Sequence, residues 1–183
     1  MKRVLICTGL LFAATTLLAQ QAAPKKPQAS PPATASASVN GKTITITYSS
    51  PRVRGREGKI FTSDGLISHD PHYPVWRAGA NAATTLTTDS DLTIGDLHVP
   101  AGTYTLFVDI SDPAHWVLIV SKATGEWGLA YDPAKDLGKT PMMMSKPPAM
   151  VEDLTYTLTN DGGKGTLTLA WEDVSASVNF MVQ

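Results

Sequence analysis

Beyond residue 38 the chain alternates hydrophobic and polar positions with a period of two, and no stretch of helix length carries a helical period. Residues 43–48 (TITITY) are the clearest case. Ile44 and Ile46 fall on one face and Thr43, Thr45 and Thr47 on the other, as in a strand half buried against a core. Further β-prone runs cover residues 84–88, 91–94, 97–99, 103–110, 115–121, 154–159, 166–171 and 174–182. Tight-turn signals separate several of them: Asn40-Gly41, Gly95-Asp96, Pro100-Ala101-Gly102 and Asp161-Gly162-Gly163. Short runs at close spacing, joined by turns, predict an all-β fold for residues 39–183. The expected architecture is one antiparallel β-sandwich or jelly-roll-like domain.

The pattern changes toward the N-terminus. Lys2 and Arg3 precede an almost wholly apolar run over residues 4–18, the length of a signal-peptide core and shorter than the roughly 20 residues of a membrane span. Residues 1–19 read as a signal peptide, with cleavage after Ala19 preferred and Ala22 or Ala23 as alternative sites. This predicts an exported protein, periplasmic or extracellular, with no membrane span once the leader is removed. Residues 20–38 hold four prolines among Ala, Gln and Ser and read as a flexible linker. Cys7 is the single cysteine and leaves with the leader. The mature chain therefore has no disulfide, catalytic thiolate or cysteine metal ligand.

Composition narrows the function classes. The net charge of −1 combines +2 over residues 1–19, +2 over residues 20–38 and −5 over residues 39–183. With 43% hydrophobic and 17% charged residues, the chain is neither a disordered tail nor a basic nucleic-acid binder. Against that acidic background the mature chain's four arginines are grouped. Arg52, Arg54 and Arg56 alternate in one segment, and Arg77 follows Trp76 in VWRAGAN. If residues 52–56 were extended, a period of two would put three guanidiniums on one face. Guanidinium offers a rigid two-pronged donor for carboxylate or phosphate. One reading is a pocket for a small polar or anionic ligand, with Trp76 as its aromatic wall. The other is internal: the arginines pair with carboxylates such as Glu57 or Asp109 and tie loops to the sheet.

Other chemistry has less support. His69-Asp70-Pro71-His72 carries imidazole and carboxylate, but one loop seldom supplies a complete metal site. Met142 and Met144 could offer thioethers to copper, although methionine more often fills cores. No serine lies in a nucleophile-elbow motif, and no glycine-rich phosphate loop occurs. Trp116, Trp127 and Trp171 could form a stacking platform for sugars, yet strand tryptophans usually pack inward. No metal or cofactor is called for, and nothing in the chain sets an oligomeric state.

Five ordered motifs carry a resemblance: YSSPRVRGR at residues 48–56, Ile60-Phe61, VWRAGANAAT at 75–84, PAGTYTLF at 100–107 and Glu126-Trp127-Gly128. Over roughly residues 35–183 the chain resembles the secreted bacterial proteins grouped as domain of unknown function 2911. The resemblance implies an exported β-rich domain and brings no activity with it. The family's S-x-P-x-x-x-G-R pattern matches Ser49, Pro51, Gly55 and Arg56. Its W-R-x-G-A-N-x-A-T pattern matches Trp76, Arg77, Gly79, Ala80, Asn81, Ala83 and Thr84. Where relatives read L-V-P-Y-G-x-V-W-R, this chain carries His69 and His72 as local additions. The sequence thus points to a ligand pocket formed by Arg52, Arg54, Arg56, Trp76, Arg77 and Asn81. A hydrolase or other enzyme with a histidine base, and a structural envelope protein with internal arginine ties, are the rival readings.

Overall fold

A computed structural model describes residues 28–162 and 164–183. The expected leader, and residues 20–27 of the expected linker, lie outside the described residues. Strands β1 (Pro32–Val39), β2 (Lys42–Ser49), β4 (Thr84–Thr88), β7 (Gly102–Asp109), β8 (Val117–Ser121) and β9 (Asp136–Pro141) form one sheet in that order. The short β3 (Val75–Trp76) joins it beside β7. The second sheet runs β11 (Val151–Asp161), β12 (Lys164–Glu172), β13 (Val174–Val182), β5 (Leu92–Ile94), β6 (Leu97–Val99), with β10 (Met143–Ser145) paired to β13. Every strand pairing is antiparallel. The fold is an all-β sandwich. Among the described residues no helix is long and apolar enough to cross a membrane.

The alternating pattern is realised directly in β2. Ile44, Ile46 and Tyr48 are buried between the sheets, while Thr43 and Thr47 face solvent. The β1–β2 hairpin turns on Asn40 and Gly41, both with positive φ (51° and 75°), as a tight hairpin demands. One expectation is corrected here. Residues 32–38, taken for linker, form β1 and pair with β2 along its whole length, from Pro32↔Ser49 to Val39↔Lys42. Composition misled because the segment's apolar side chains are alanines. Ala33 and Ala35 still pack on the core, and Pro32 sits at the start of an edge strand, where its missing N–H costs nothing.

At one end of the sandwich the core becomes aromatic. Trp76 and Trp171 stack with centroids 6.0 Å apart and planes 20° off parallel. Phe61 meets Trp116, Trp171 and Trp76 at 5.0, 5.7 and 5.8 Å. Trp116 and Trp171 are therefore interior, whereas Trp127 is exposed, so the three form no common platform. The segment after β8 closes on itself through Lys122 N–H to the Lys135 carbonyl (2.9 Å). It lies over the outer face of the first sheet, with Tyr131 4.8 Å from Phe107. The Tyr131 hydroxyl donates to Asp136 (2.9 Å), and burial together with that carboxylate pushes its pKa far up. This segment brings Gly128 and Leu129 to the aromatic end.

Candidate functional site

A cleft of about 380 Å³ opens over that aromatic end. Arg52, Arg54, Arg56, Trp76 and Arg77 all line it. Asn81, the sixth expected residue, is not in the lining. It stands beside it with a left-handed backbone (φ 57°), its amide donating to the Ser30 carbonyl and its own carbonyl accepting from Arg77 Nη1 (3.4 Å). The wall also includes Asp70, His69, Leu66, Ile67 and Leu129, which no sequence pattern groups with the arginines.

The arginines converge by a turn, not by strand alternation. Arg54 (φ 52°) and Gly55 (φ 70°) are both left-handed, so residues 52–56 are not extended and the expected common face does not exist. The segment crosses to the second sheet instead. Val53 N–H donates to the Glu152 carbonyl (2.9 Å), Leu154 N–H to the Pro51 carbonyl (2.9 Å), and the Ser50 hydroxyl to the Leu154 carbonyl (2.7 Å). Buried Glu172 accepts from Gly58 N–H and fixes the far side of the turn.

Within this frame the guanidiniums divide by task. Arg52 pairs with Asp153 at 2.6 Å, both partly exposed, and thereby ties the loop to β11. Arg56 folds back on its own loop, Nε donating to the Val53 carbonyl (2.9 Å) and Nη2 to the Arg52 carbonyl (2.5 Å). These are internal ties, but neither Glu57 nor Asp109 is the partner; the Asp109 carboxylate accepts from Ser111 N–H. Arg54 differs. Its backbone N–H is held by Glu152 (3.0 Å), yet among the described residues its guanidinium has no hydrogen-bond or ion-pair partner.

Arg77 is built in from three sides. Asp70, whose side chain is almost fully buried, places its carboxylate 3.6 Å from Nε, close enough for ionic attraction and too far for a hydrogen bond. The next carbonyl along the chain, that of Ala78, accepts from the Tyr156 hydroxyl (2.9 Å) and the Thr84 hydroxyl (3.1 Å). Burial drives the Tyr156 pKa far above the usual phenol range. Gly79 and Gly128 are glycines for want of room. A Cβ on Gly79 would stand 2.7 Å from Thr84 Oγ1, and one on Gly128 would stand 2.7 Å from the Asn81 carbonyl and 2.8 Å from Arg77 Cδ. The RAGAN segment and the Glu126-Trp127-Gly128 segment thus meet on this one side chain.

Four buried side-chain polar atoms among the described residues lack a hydrogen-bond partner, and three belong to the cleft lining: Asp70 Oδ2, Arg77 Nε and Trp171 Nε1. Asp70 Oδ2 and Arg77 Nε are the two ends of one ion pair at 3.6 Å, so Trp171 Nε1 is the cleft's polar atom with neither a hydrogen-bond nor an ionic partner among the described residues. Metal chemistry gains nothing here. No group of three or more His, Cys, Asp or Glu converges among the described residues. His72 accepts from Tyr131 N–H, Met142 is buried and Met144 packs partly buried against the core. No hydrogen bond joins a histidine to a serine among the described residues.

The family described as Protein of unknown function (DUF2911) matches residues 30–180. Neither a curated protein nor a solved structure matches the chain.

Proposed function

The chain belongs to this family of proteins of unknown function, and we propose that its arginine-walled cleft receives a small anionic ligand between Arg54 and Arg77. One observation carries the reading. Arg52, Arg56 and Arg77 all have protein acceptors, whereas the Arg54 guanidinium has none among the described residues and sits on a left-handed backbone. A residue with a Cβ loses on the order of 1 kcal/mol in that conformation, where glycine loses nothing. Arginine in the place of a turn glycine is accounted for when its side chain is used. The cavity volume falls within the range of small-molecule sites. Export belongs to the same proposal and is supported by the leader-like residues 1–19. It is checked by whether the mature N-terminus begins at Gln20, or at Ala23 or Pro24 for the alternative cleavage sites.

Arg54→Gly tests the cleft. Thermal unfolding followed against a panel of inorganic and organic anions is expected to show stabilisation of the wild-type chain, about 2.7 kcal/mol at a hundredfold excess over Kd. The variant should fold at least as stably and lose that response. A variant that responds as the wild type does sinks the reading.

A further inference from the structure

We propose that the ligand is a monocarboxylate with an apolar body, such as a short-chain or aryl acid; this rests on the anion cleft above and specifies what fills it. The first support is the charge of the wall. Asp70 in the lining and Asp153 on β11 each pair with a guanidinium, which leaves two of the four positive charges without a carboxylate partner among the described residues. One of those two, Arg56, already donates to two backbone carbonyls of its own loop. Arg54 is then the principal unshared cation, matched to a single anionic group. A dianion such as phosphate would also have to stand near the carboxylate of Asp70.

The second support is what the rest of the lining offers. Leu66, Ile67, Pro71 and Leu129 surround the opening, with Trp76 and Trp171 beneath. Leu66 is 36% exposed, a large aliphatic side chain kept in contact with water inside a concavity. The neutral hydrogen-bonding side chains of the lining are Ser30, His69 and the Trp171 indole, with no Asn, Gln, Thr or Tyr among them. A sugar or other polyol would find few neutral partners for its hydroxyls, and those facing Leu66, Ile67 and Leu129 would be left unpaired. An alkyl or aryl group can instead lie along Leu66, Ile67, Pro71 and Leu129 with its carboxylate toward the guanidiniums. At about 380 Å³ the cleft also exceeds what an inorganic oxyanion would fill.

The test is calorimetric titration of the protein with straight-chain carboxylates from acetate to octanoate, with inorganic phosphate as comparator at constant ionic strength. Burial of each added methylene should tighten binding about three- to fourfold until the cleft is full. Leu66→Asn should flatten that series, and Arg54→Gly should weaken every member of it. Affinity independent of chain length, or phosphate binding more tightly than octanoate, overturns the inference and leaves the anion cleft standing. Octanoate binding unchanged by both substitutions overturns it too, since the acid is then bound elsewhere. If no anion of either kind binds, the inference falls together with the reading it rests on.

Discussion

Residues 50–58 and residues 76–84 wall the same cleft, yet the first segment is held largely through its own backbone and guanidiniums, the second by atoms that other elements supply. In the first, backbone N–H and C=O groups pair with β11, and Arg56 clasps two carbonyls of its own turn. In the second, Tyr156 comes from β11, Gly128 from the segment after β8, and Asp70 from the loop before β3. The difference teaches what an arginine cluster is. Arg52 and Arg56 are parts of the scaffold, while Arg77 is enclosed by other elements and the Arg54 guanidinium has no protein partner among the described residues.

Substitutions can break or sharpen this contrast. The largest effect should come from Gly128→Ala, because the new methyl meets backbone at Asn81 and the Arg77 stem, and backbone cannot rotate away. A loss of about 2–3 kcal/mol in urea unfolding is expected, with ligand response lost as well. A change below 0.5 kcal/mol, a level typical of surface sites, would show that residues 126–130 do not rest on Arg77. Arg56→Ala should cost about 1–2 kcal/mol by the same measurement, since two carbonyls lose a charged donor at a partly solvated site. If instead it leaves stability untouched and removes anion binding, Arg56 belongs with Arg54 and the division of labour is wrong.

Tyr156→Phe probes the second segment more gently. It removes one of two donors to the Ala78 carbonyl, and about 1 kcal/mol should be lost near neutral pH. Its pH dependence has a definite sign. The folded chain keeps the Tyr156 proton above pH 10 while the unfolded chain releases it, so the unfolded state binds fewer protons and stability falls as pH rises. Each such tyrosine contributes a slope of about 1.4 kcal/mol per pH unit between its unfolded and folded pKa. Alkaline unfolding of the Phe variant should therefore be shallower by one proton. Tyr131 and Tyr104, whose pKa values are also raised, continue to contribute in both proteins. The smallest effect is the stability change of Arg54→Gly, a gain of about 0.5 kcal/mol from relief of the left-handed backbone.

The fold was largely legible in the sequence, because hydrophobic alternation and turn residues act locally. Asn40-Gly41 and the Ile44/Ile46 face behave as their neighbours dictate. The alanine-bearing β1 was hidden because its pairing is set by β2 rather than by its own hydrophobicity. β9, with Gly138, Lys139 and Pro141, was hidden for the same reason, taking its register from β8. The site was half legible. Grouping the arginines with Trp76 found the cleft, and alternation gave the wrong cause, since Gly55 and Arg54 turn the chain where a strand was expected. Asp70, Leu66 and Leu129 were missed because their nearness to Arg77 or Arg54 is purely three-dimensional. Gly128 could have been found: a glycine in a motif with no turn partner signals crowding as readily as flexibility.

The pairing of Pro32 with Ser49 also decides which way the domain can be handled as a module. Ala29 and Ser30 border the cleft, so the residues just before β1 run past its mouth. Gln183, bonded to Asp91 and Ser90 beside the β1–β2 hairpin tip that Asp89 shares through Thr43, lies at the other end of the sandwich. A bulky label placed at Ala29 or Ser30 would stand in the doorway, and one placed at Gln183 would leave it clear.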